Sequence, residues 1–339
     1  MCEYIAGISP VKVYGLPLFH STGEYRKLTD ELMEQVPSIR QFGHLASGGR
    51  ICFKTDAPSF VFKSRVKICA DNETTSNLFS SGFNVYIGER QRSRYAGYVC
   101  VEKNRDGWCD IEKRFEKQAI MEDITIFMPS ASMIESCCII PDENYRVEES
   151  SPYKWGTPIV YYGSSITAGG AASRVGNTYV SLLSRWLDTD YQLYGFPGNA
   201  KGEKEVAEYL STLDMSVFVY DYDHNAKDPE ELEKTHKPFF DIIRKAKPKV
   251  PVIMLSRPGY DHDPVDAEKR KAVIRSTYET AKAAGDENVW FIEGNKLFGT
   301  DERHACTIDG THPTDYGFMK MARCIAPILE EALEKQANQ

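Results

Sequence analysis

The second half of the chain carries the pattern that most restricts its fold. Five short apolar runs recur there: PIVYYG (158–163), YQLYGF (191–196), SVFVYDY (216–222), VPVIMLS (250–256) and NVWFIEG (288–294). Amphipathic helical patterns separate them at about 174–188, 202–212, 229–246 and 264–284, and one more runs from about 314 to 335. Asp228-Pro229-Glu230-Glu231 marks one helix start with a capping side chain, a proline at the first position and acids in the first turn. Five strand-then-helix units in succession predict a parallel, doubly wound five-stranded sheet with helices on both faces.

The first half reads differently. Short β-type runs, RICFKTD (50–56), SFVFKSRVKICA (59–70), FNVYIGE (83–89), YAGYVCVEK (95–103), ITIFMPS (124–130) and MIESCCII (133–140), follow one another with turn clusters between them. Several alternate with period two, as Phe60, Phe62 and Val66 do with Lys63 and Arg65. Many short strands at intervals of about ten residues predict an all-β sandwich or jelly roll. One helix is predicted within 25–36, YRKLTDELMEQV. The polar stretch 148–158, EESSPYKWGTP, then serves as a linker, dividing the 339 residues into a domain over 1–148 and another over 152–339.

Composition removes several function classes. A net charge of −8 with pI near 5.5, and no stripe of Lys and Arg, argues against nucleic-acid binding. No run approaches the roughly 18 apolar residues of a spanning helix, and the N-terminus resembles neither a signal peptide nor an anchor, so a cytoplasmic location without membrane contact is expected. Nine scattered cysteines form no disulfide framework and are expected to be free thiols. With neither a Cys-x-x-Cys pair nor HExxH, no metal or other cofactor is expected. The sequon at Asn72 is a chance-level match.

In a doubly wound sheet the loops after the strands meet on one edge. Ser165 follows the first strand, Gly195-Phe196-Pro197-Gly198-Asn199 the second, Asp221-Tyr222-Asp223-His224-Asn225 the third and Ser256-Arg257-Pro258-Gly259 the fourth. After the fifth, a longer loop leads to Asp309-Gly310-Thr311-His312-Pro313. A lone serine after a strand is most often a turn or capping residue. Here it has company that changes the reading. Serine attacks a carbonyl only when a base takes its proton, and a histidine base needs its second nitrogen held by a carboxylate. Asp309 and His312 can form that pair locally, with Pro313 in the first turn of the final helix. Gly198 and Ser165 can offer backbone N–H groups, and Asn225 a side-chain amide, to a developing oxyanion.

These residues resemble the blocks of the SGNH (GDSL-type) hydrolases: Gly163-Ser164-Ser165-Ile166, the glycine of Gly195-Phe196-Pro197-Gly198, the asparagine of Asp223-His224-Asn225, and Asp309-Gly310-Thr311-His312. The resemblance implies a flavodoxin-like fold, Ser165 as nucleophile, His312 as base, Asp309 as its partner, and an oxyanion hole of Ser165, Gly198 and Asn225. Three departures stand out: Ser164 where the name-giving motif has Asp, no Gly-x-Asn-Asp in the third block, and Pro197 ahead of the second block's glycine. Gly82-Phe83-Asn84-Val85-Tyr86 is similar to the Gly-x-Asp-Leu-Tyr motif of a β-sandwich found ahead of such domains, with Asn in place of Asp. Two-domain esterases of this build are similar to carbohydrate acetyl esterases. The resemblance therefore implies a metal-independent serine esterase acting on a small-molecule or oligosaccharide ester. A lipid or thioester hydrolase and an inactive carbohydrate-binding protein are the alternatives. The oligomeric state is left open, a homodimer included.

Other features have structural readings beside functional ones. Asp221 and Asp223, two apart, form half a metal site or a hydrogen-bonded loop. His224 contacts substrate or is a satisfied loop histidine. Arg257 binds substrate or pairs with a third-loop aspartate. Trp155, Trp186 and Trp290 stack on a sugar or belong to the core. The 297–308 loop is long enough to cross the site. Cys306, His304 and His262 carry no spacing that favours them over Ser165 and His312.

Overall fold

The structure, a computed structural model, describes residues 2–69, 73–102, 105–259 and 261–338. Ala70 and Lys103, at the ends of two predicted strands, and Asn72 of the sequon lie outside them.

The C-terminal sheet is parallel, with strand order Thr189–Gly195, Trp155–Gly163, Val217–Asp221, Val252–Leu255, Val289–Ile292. The chain enters at the second position, steps to one edge and then crosses to the other side, which is the flavodoxin-like winding. Both faces are covered, and that is why the strands appear as unbroken apolar runs. Ile159, Tyr161, Val217, Val219, Ile253 and Leu255 pack into one core with the helices Tyr179–Leu187 and Asp315–Ala337. Their neighbours Val160, Tyr162, Phe218, Tyr220, Val252 and Met254 pack into another with Lys204–Ser211, Pro229–Ala246 and Pro264–Ala283. The predicted start of Pro229–Ala246 is present: the Asp228 carboxylate accepts the Glu231 N–H at 2.8 Å.

Residues 4–148 form two antiparallel sheets. One has four strands, Tyr4–Ile5, Ser132–Pro141, Ser59–Ile68 and Trp108–Glu116. The other has six, in the order Val147–Glu148, Arg50–Thr55, Glu122–Phe127, Phe83–Ile87, Arg94–Val99, with Lys12–Tyr14 also paired to Arg50–Thr55. The sheets face each other over one core, where Phe53 meets Phe60 at 5.5 Å and Phe62 meets Phe83 at 4.8 Å between ring centres. Phe60, Phe62 and Val66 point inward, while Lys63 and Arg65 pair outside with Glu112, Asp110 and Glu135, as period-two alternation requires. The Trp108–Glu116 strand escaped sequence reading because it lies at an edge and buries only Phe115.

Two boundaries differ from expectation. The helix predicted over 25–36 is confined to Asp30–Gln35, because the Thr29 hydroxyl caps it by accepting the Leu32 N–H at 3.2 Å. Upstream, the Lys27 and Leu28 N–H groups donate to the Gly43 carbonyl instead. The final helix likewise begins after Pro313, since Thr314 Oγ1 caps it at the Gly317 N–H, 3.3 Å away. Pro313 forms an isolated bridge with Thr307.

The two halves share cores. Leu28, Leu32, Met33, Val36 and Ile39 join one apolar layer of the parallel sheet, and Phe79, Tyr86 and Phe127 join the other. Buried Arg50 bonds the Asp190 carboxylate and the Tyr191 carbonyl, and its guanidinium lies 3.8 Å from the Tyr191 ring centre. Arg90 reaches Asp188 at 3.0 Å. The 82–86 motif belongs to this interface: Asn84 Oδ1 accepts the Gly176 N–H at 3.0 Å, and Arg185 lies 4.3 Å from the Tyr86 ring centre. All nine cysteines are free. Among the described residues no helix is long and apolar enough to cross a membrane.

Candidate active site

Gly163 pairs with Gly195 on one side and with Asp221 on the other, so three strand ends stand level at the point where the winding reverses direction. The chain turns at once after Gly163. A Cβ there would meet Thr167 Oγ1 at 2.1 Å and the Asp221 carbonyl at 2.3 Å, which only glycine avoids. Ser164, fully buried, caps the short helix Ser165–Ala168 by accepting the Ile166 N–H at 3.2 Å, and its own N–H donates to the Asp221 carbonyl at 3.1 Å. Gly195 permits this helix to rest on the neighbouring strand, since a Cβ would lie 2.6 Å from the Ala168 nitrogen. Ser164 is therefore structural, and Ser165 is left to face outward.

Ser165 Oγ lies 2.9 Å from His312 Nε2, and His312 Nδ1 lies 2.6 Å from Asp309 Oδ2. The Asp309–His312 turn is self-bonded: Asp309 Oδ1 accepts the Thr311 and His312 N–H groups at 3.0 and 2.8 Å, with Gly310 at φ +84° between them. Partial burial raises the Asp309 carboxyl, but the His312 backbone and ring and the Thr311 N–H outweigh it and hold it below the ordinary carboxylate range. An ionised Asp309 accepts the Nδ1 proton, and that tautomer turns the Nε2 lone pair toward Ser165.

Asn225 Nδ2 donates to the Phe196 carbonyl at 3.1 Å, tying together the loops that flank the Ser165 strand. Gly198 sits exposed at φ +69° in the turn where the Asn199 and Ala200 N–H groups donate to Phe196. The Ser165 N–H stands in the first turn of its helix, where the helix itself provides no acceptor.

The remaining polar candidates lie in the same loops, with partners of their own or none. Arg257 Nη1 donates to Asp266 at 2.6 Å, and its backbone N–H donates to Asp223 at 3.0 Å, so it joins its loop to the Pro264–Ala283 helix. His224 Nε2 is buried without a hydrogen-bond partner among the described residues. Burial, then Arg257 and His312, push that imidazole well below its ordinary value and keep it neutral. Asp221 accepts the Tyr179 hydroxyl at 3.5 Å beneath the Ser165 turn, and burial raises it far above the carboxylate range. Among the described residues no group of three His, Cys, Asp or Glu side chains is placed to hold a metal ion. Trp155, Trp186 and Trp290 pack against the core. Cys306 is buried, with Sγ directed to the Glu302 carbonyl. The 297–308 loop docks on the last helix, where Lys320 Nζ takes the Phe298 carbonyl at 2.9 Å, and it does not wall the cavity.

That cavity, about 200 Å³, opens beside Ser165 and His312. Ala168, Gly170, Gly195 and Pro197 line it from the parallel-sheet half; Lys27, Phe42, Leu45, Ser47, Phe79 and Ala131 line it from the other half. The N-terminal group escaped sequence reading, because 25–36 was read as a helix and the burial of Lys27, Phe42, Leu45 and Ser47 comes from contacts between distant parts of the chain.

Residues 156–330 match the model of the GDSL-like lipase/acylhydrolase family. The chain belongs to that family. Residues 7–147 of this acylhydrolase-family chain match the model for the N-terminus of SGNH-hydrolase-type esterases. Among solved structures, the chain is similar to one described as a GDSL-like lipase from Bacteroides ovatus, with a TM-score of 0.84, 25% identity and 98% of each chain covered. It is also similar to the salicylyl-acyltransferase SsfX3 of a tetracycline biosynthetic pathway (TM-score 0.76, 15% identity, 95% of each chain). A third similar structure is the acetyl xylan esterase Est2A of Butyrivibrio proteoclasticus (TM-score 0.58, 11% identity, 99% of this chain and 100% of that one). The last two likenesses extend to the fold. A search of curated proteins found no match.

Proposed function

We propose that the protein is a serine esterase that removes small acyl groups, O-acetyl groups on carbohydrate foremost, through an acyl-enzyme at Ser165. The observation that carries this reading is the Ser165–His312–Asp309 hydrogen-bonded chain beside a cavity of about 200 Å³. Ser165 Oγ attacks the ester carbonyl carbon as its proton passes to His312 Nε2. Asp309 stabilises the resulting imidazolium. The oxyanion is received by the Ser165 and Gly198 N–H groups and the Asn225 amide. The carbon–oxygen bond to the alcohol breaks, and the alcohol leaves with the proton from His312. Water then attacks the acyl-enzyme, gives a proton to His312, and releases the acid as Ser165 regains its hydrogen. No step draws on a metal.

The limited cavity volume favours short acyl groups over the long chains of lipids, and similarity to an acetyl xylan esterase supports a sugar ester as substrate. Purified protein is expected to hydrolyse p-nitrophenyl acetate, to lose rate as the acyl chain lengthens, and to be labelled at Ser165 by a fluorophosphonate probe. Labelling that survives in Ser165→Ala would falsify the assignment of the nucleophile.

A further inference from the structure

Lys27 is an unusual lining residue for such a cavity. Its side chain is buried, with 2% of the residue exposed, yet it stands in the wall that faces Ser165 and His312. Nζ donates to the Ser47 hydroxyl at 2.6 Å and lies 5.3 Å from the Phe196 ring centre. Both neighbours are uncharged, and among the described residues no carboxylate forms an ion pair with it. Phe42, Leu45, Phe79 and Ala131 make the adjoining surface apolar. A buried cation without a counter-charge is costly, and burial alone lowers the Lys27 ammonium to about 7. Purely structural lysines put the charged end into water or against a carboxylate. Lys27 instead lines the cavity that opens beside Ser165 and His312, with Nζ on the hydroxyl of Ser47, itself a lining residue.

We propose that Lys27 selects substrate by pairing with a carboxylate on the ester, so that the preferred substrate of this site is an anionic ester. The proposal rests on the esterase reading of Ser165. An ammonium has three donors, of which Ser47 takes one, and a ligand carboxylate completes the others in an environment where charge-assisted hydrogen bonds are strong. The carboxylate can belong to the acyl group, as in a half-ester of a dicarboxylic acid, or to the alcohol, as in an acetylated sugar acid. Ser47 and Phe196 hold Lys27 in place for either.

Two isosteric pairs separate these sources: methyl hydrogen glutarate against methyl glutaramate for the acyl side, and 4-acetoxybenzoate against 4-acetoxybenzamide for the alcohol side. At pH 6 the ratio of kcat/KM for acid over amide is expected to be at least about tenfold larger in the wild type than in Lys27→Met for one pair. Ratios that agree within about twofold in both pairs overturn the proposal. A merely structural lysine would lower both members of a pair alike and leave the ratio unmoved. A second measurement uses the wild type alone, independent of how the variant folds: glutarate is expected to slow fluorophosphonate labelling of Ser165 at concentrations at least about tenfold below those of glutaramide. Equal protection overturns the proposal. Labelling and p-nitrophenyl acetate turnover in the wild type test the esterase itself, so its failure and that of Lys27 are distinguishable.

Discussion

Ser165 and Lys27 line one cavity from opposite halves of the chain, and they are held there differently. Ser165 stands on a capped helix at the end of a buried interior strand, against two glycine strand ends that leave the turn no alternative course. Lys27 stands in an irregular segment fixed by two N–H bonds to Gly43 and by two hydroxyls, Ser47 on its Nζ and Tyr209 on its carbonyl. Local geometry around the first is over-determined. The second depends on distant parts of the chain meeting correctly. In the proposed reading the parallel-sheet half carries the reacting groups, and the N-terminal half adds to the cavity wall the cation that would select among substrates.

The largest effects are expected on the parallel-sheet side. Ser165→Ala and Asp309→Asn should each lower kcat for p-nitrophenyl acetate by about 10⁴-fold or more, because the first removes the attacking atom and the second the acceptor that sets the His312 tautomer. The fold should be unaffected, since Ser165 is not the cap and the Asp309 turn is at the surface. An Asp309→Asn protein with near wild-type kcat would break the contrast at its strongest point.

The interface between the halves comes next. Arg50 is buried and joined to Asp190, the Tyr191 carbonyl and the Gly48 carbonyl. Arg50→Ala leaves the Asp190 carboxylate buried without its cation, a loss of about 3–5 kcal/mol. Denaturant unfolding should register it as a lower midpoint. If the halves were independent, the transition would split into two and the C-terminal step would not move.

How far the sequence led follows the same division. Strands covered on both faces appear as apolar runs, and the helix starts carry caps such as Asp228, so the parallel sheet could be read from local pattern. The Asp309 and His312 pair was legible because it is local, three residues apart in a self-bonded turn. Pro313 was misplaced because a Thr cap one residue later competes with it for the helix start. Lys27 was invisible: its neighbours have helical spacing, and its burial comes from contacts with Gly43 and Ser47, which no periodicity encodes. Trp108–Glu116 was hidden for the opposite reason, an edge strand whose outward face is charged.

A smaller effect is expected at Gly195. A Cβ there meets the Ala168 backbone and side chain at 2.6–2.7 Å, and backbone cannot move aside as a flexible side chain can. Gly195→Ala should cost about 2–3 kcal/mol of stability. It should also reduce kcat, since relief of the clash displaces the helix that bears Ser165. Stability lost with kcat unchanged would mean that the strand yields and the helix does not.

The smallest effect is a pH dependence at Lys27. Its ordinary value of 10.5 applies in the unfolded chain, while burial lowers the folded-state value to about 7. Between these values the unfolded chain holds a proton that the folded protein lacks, so the Lys27 contribution to stability increases as pH rises through that window and is smallest below it. Lys27→Met has no proton to exchange and a side chain suited to the apolar wall. The variant should therefore be the more stable at pH 7, with the difference shrinking by about 2 kcal/mol by pH 9. Every other titrating group is common to both proteins and cancels in the difference. A difference constant from pH 7 to pH 9 would mean that Lys27 keeps its proton throughout that range, its charge held inside the fold as well as in the unfolded chain.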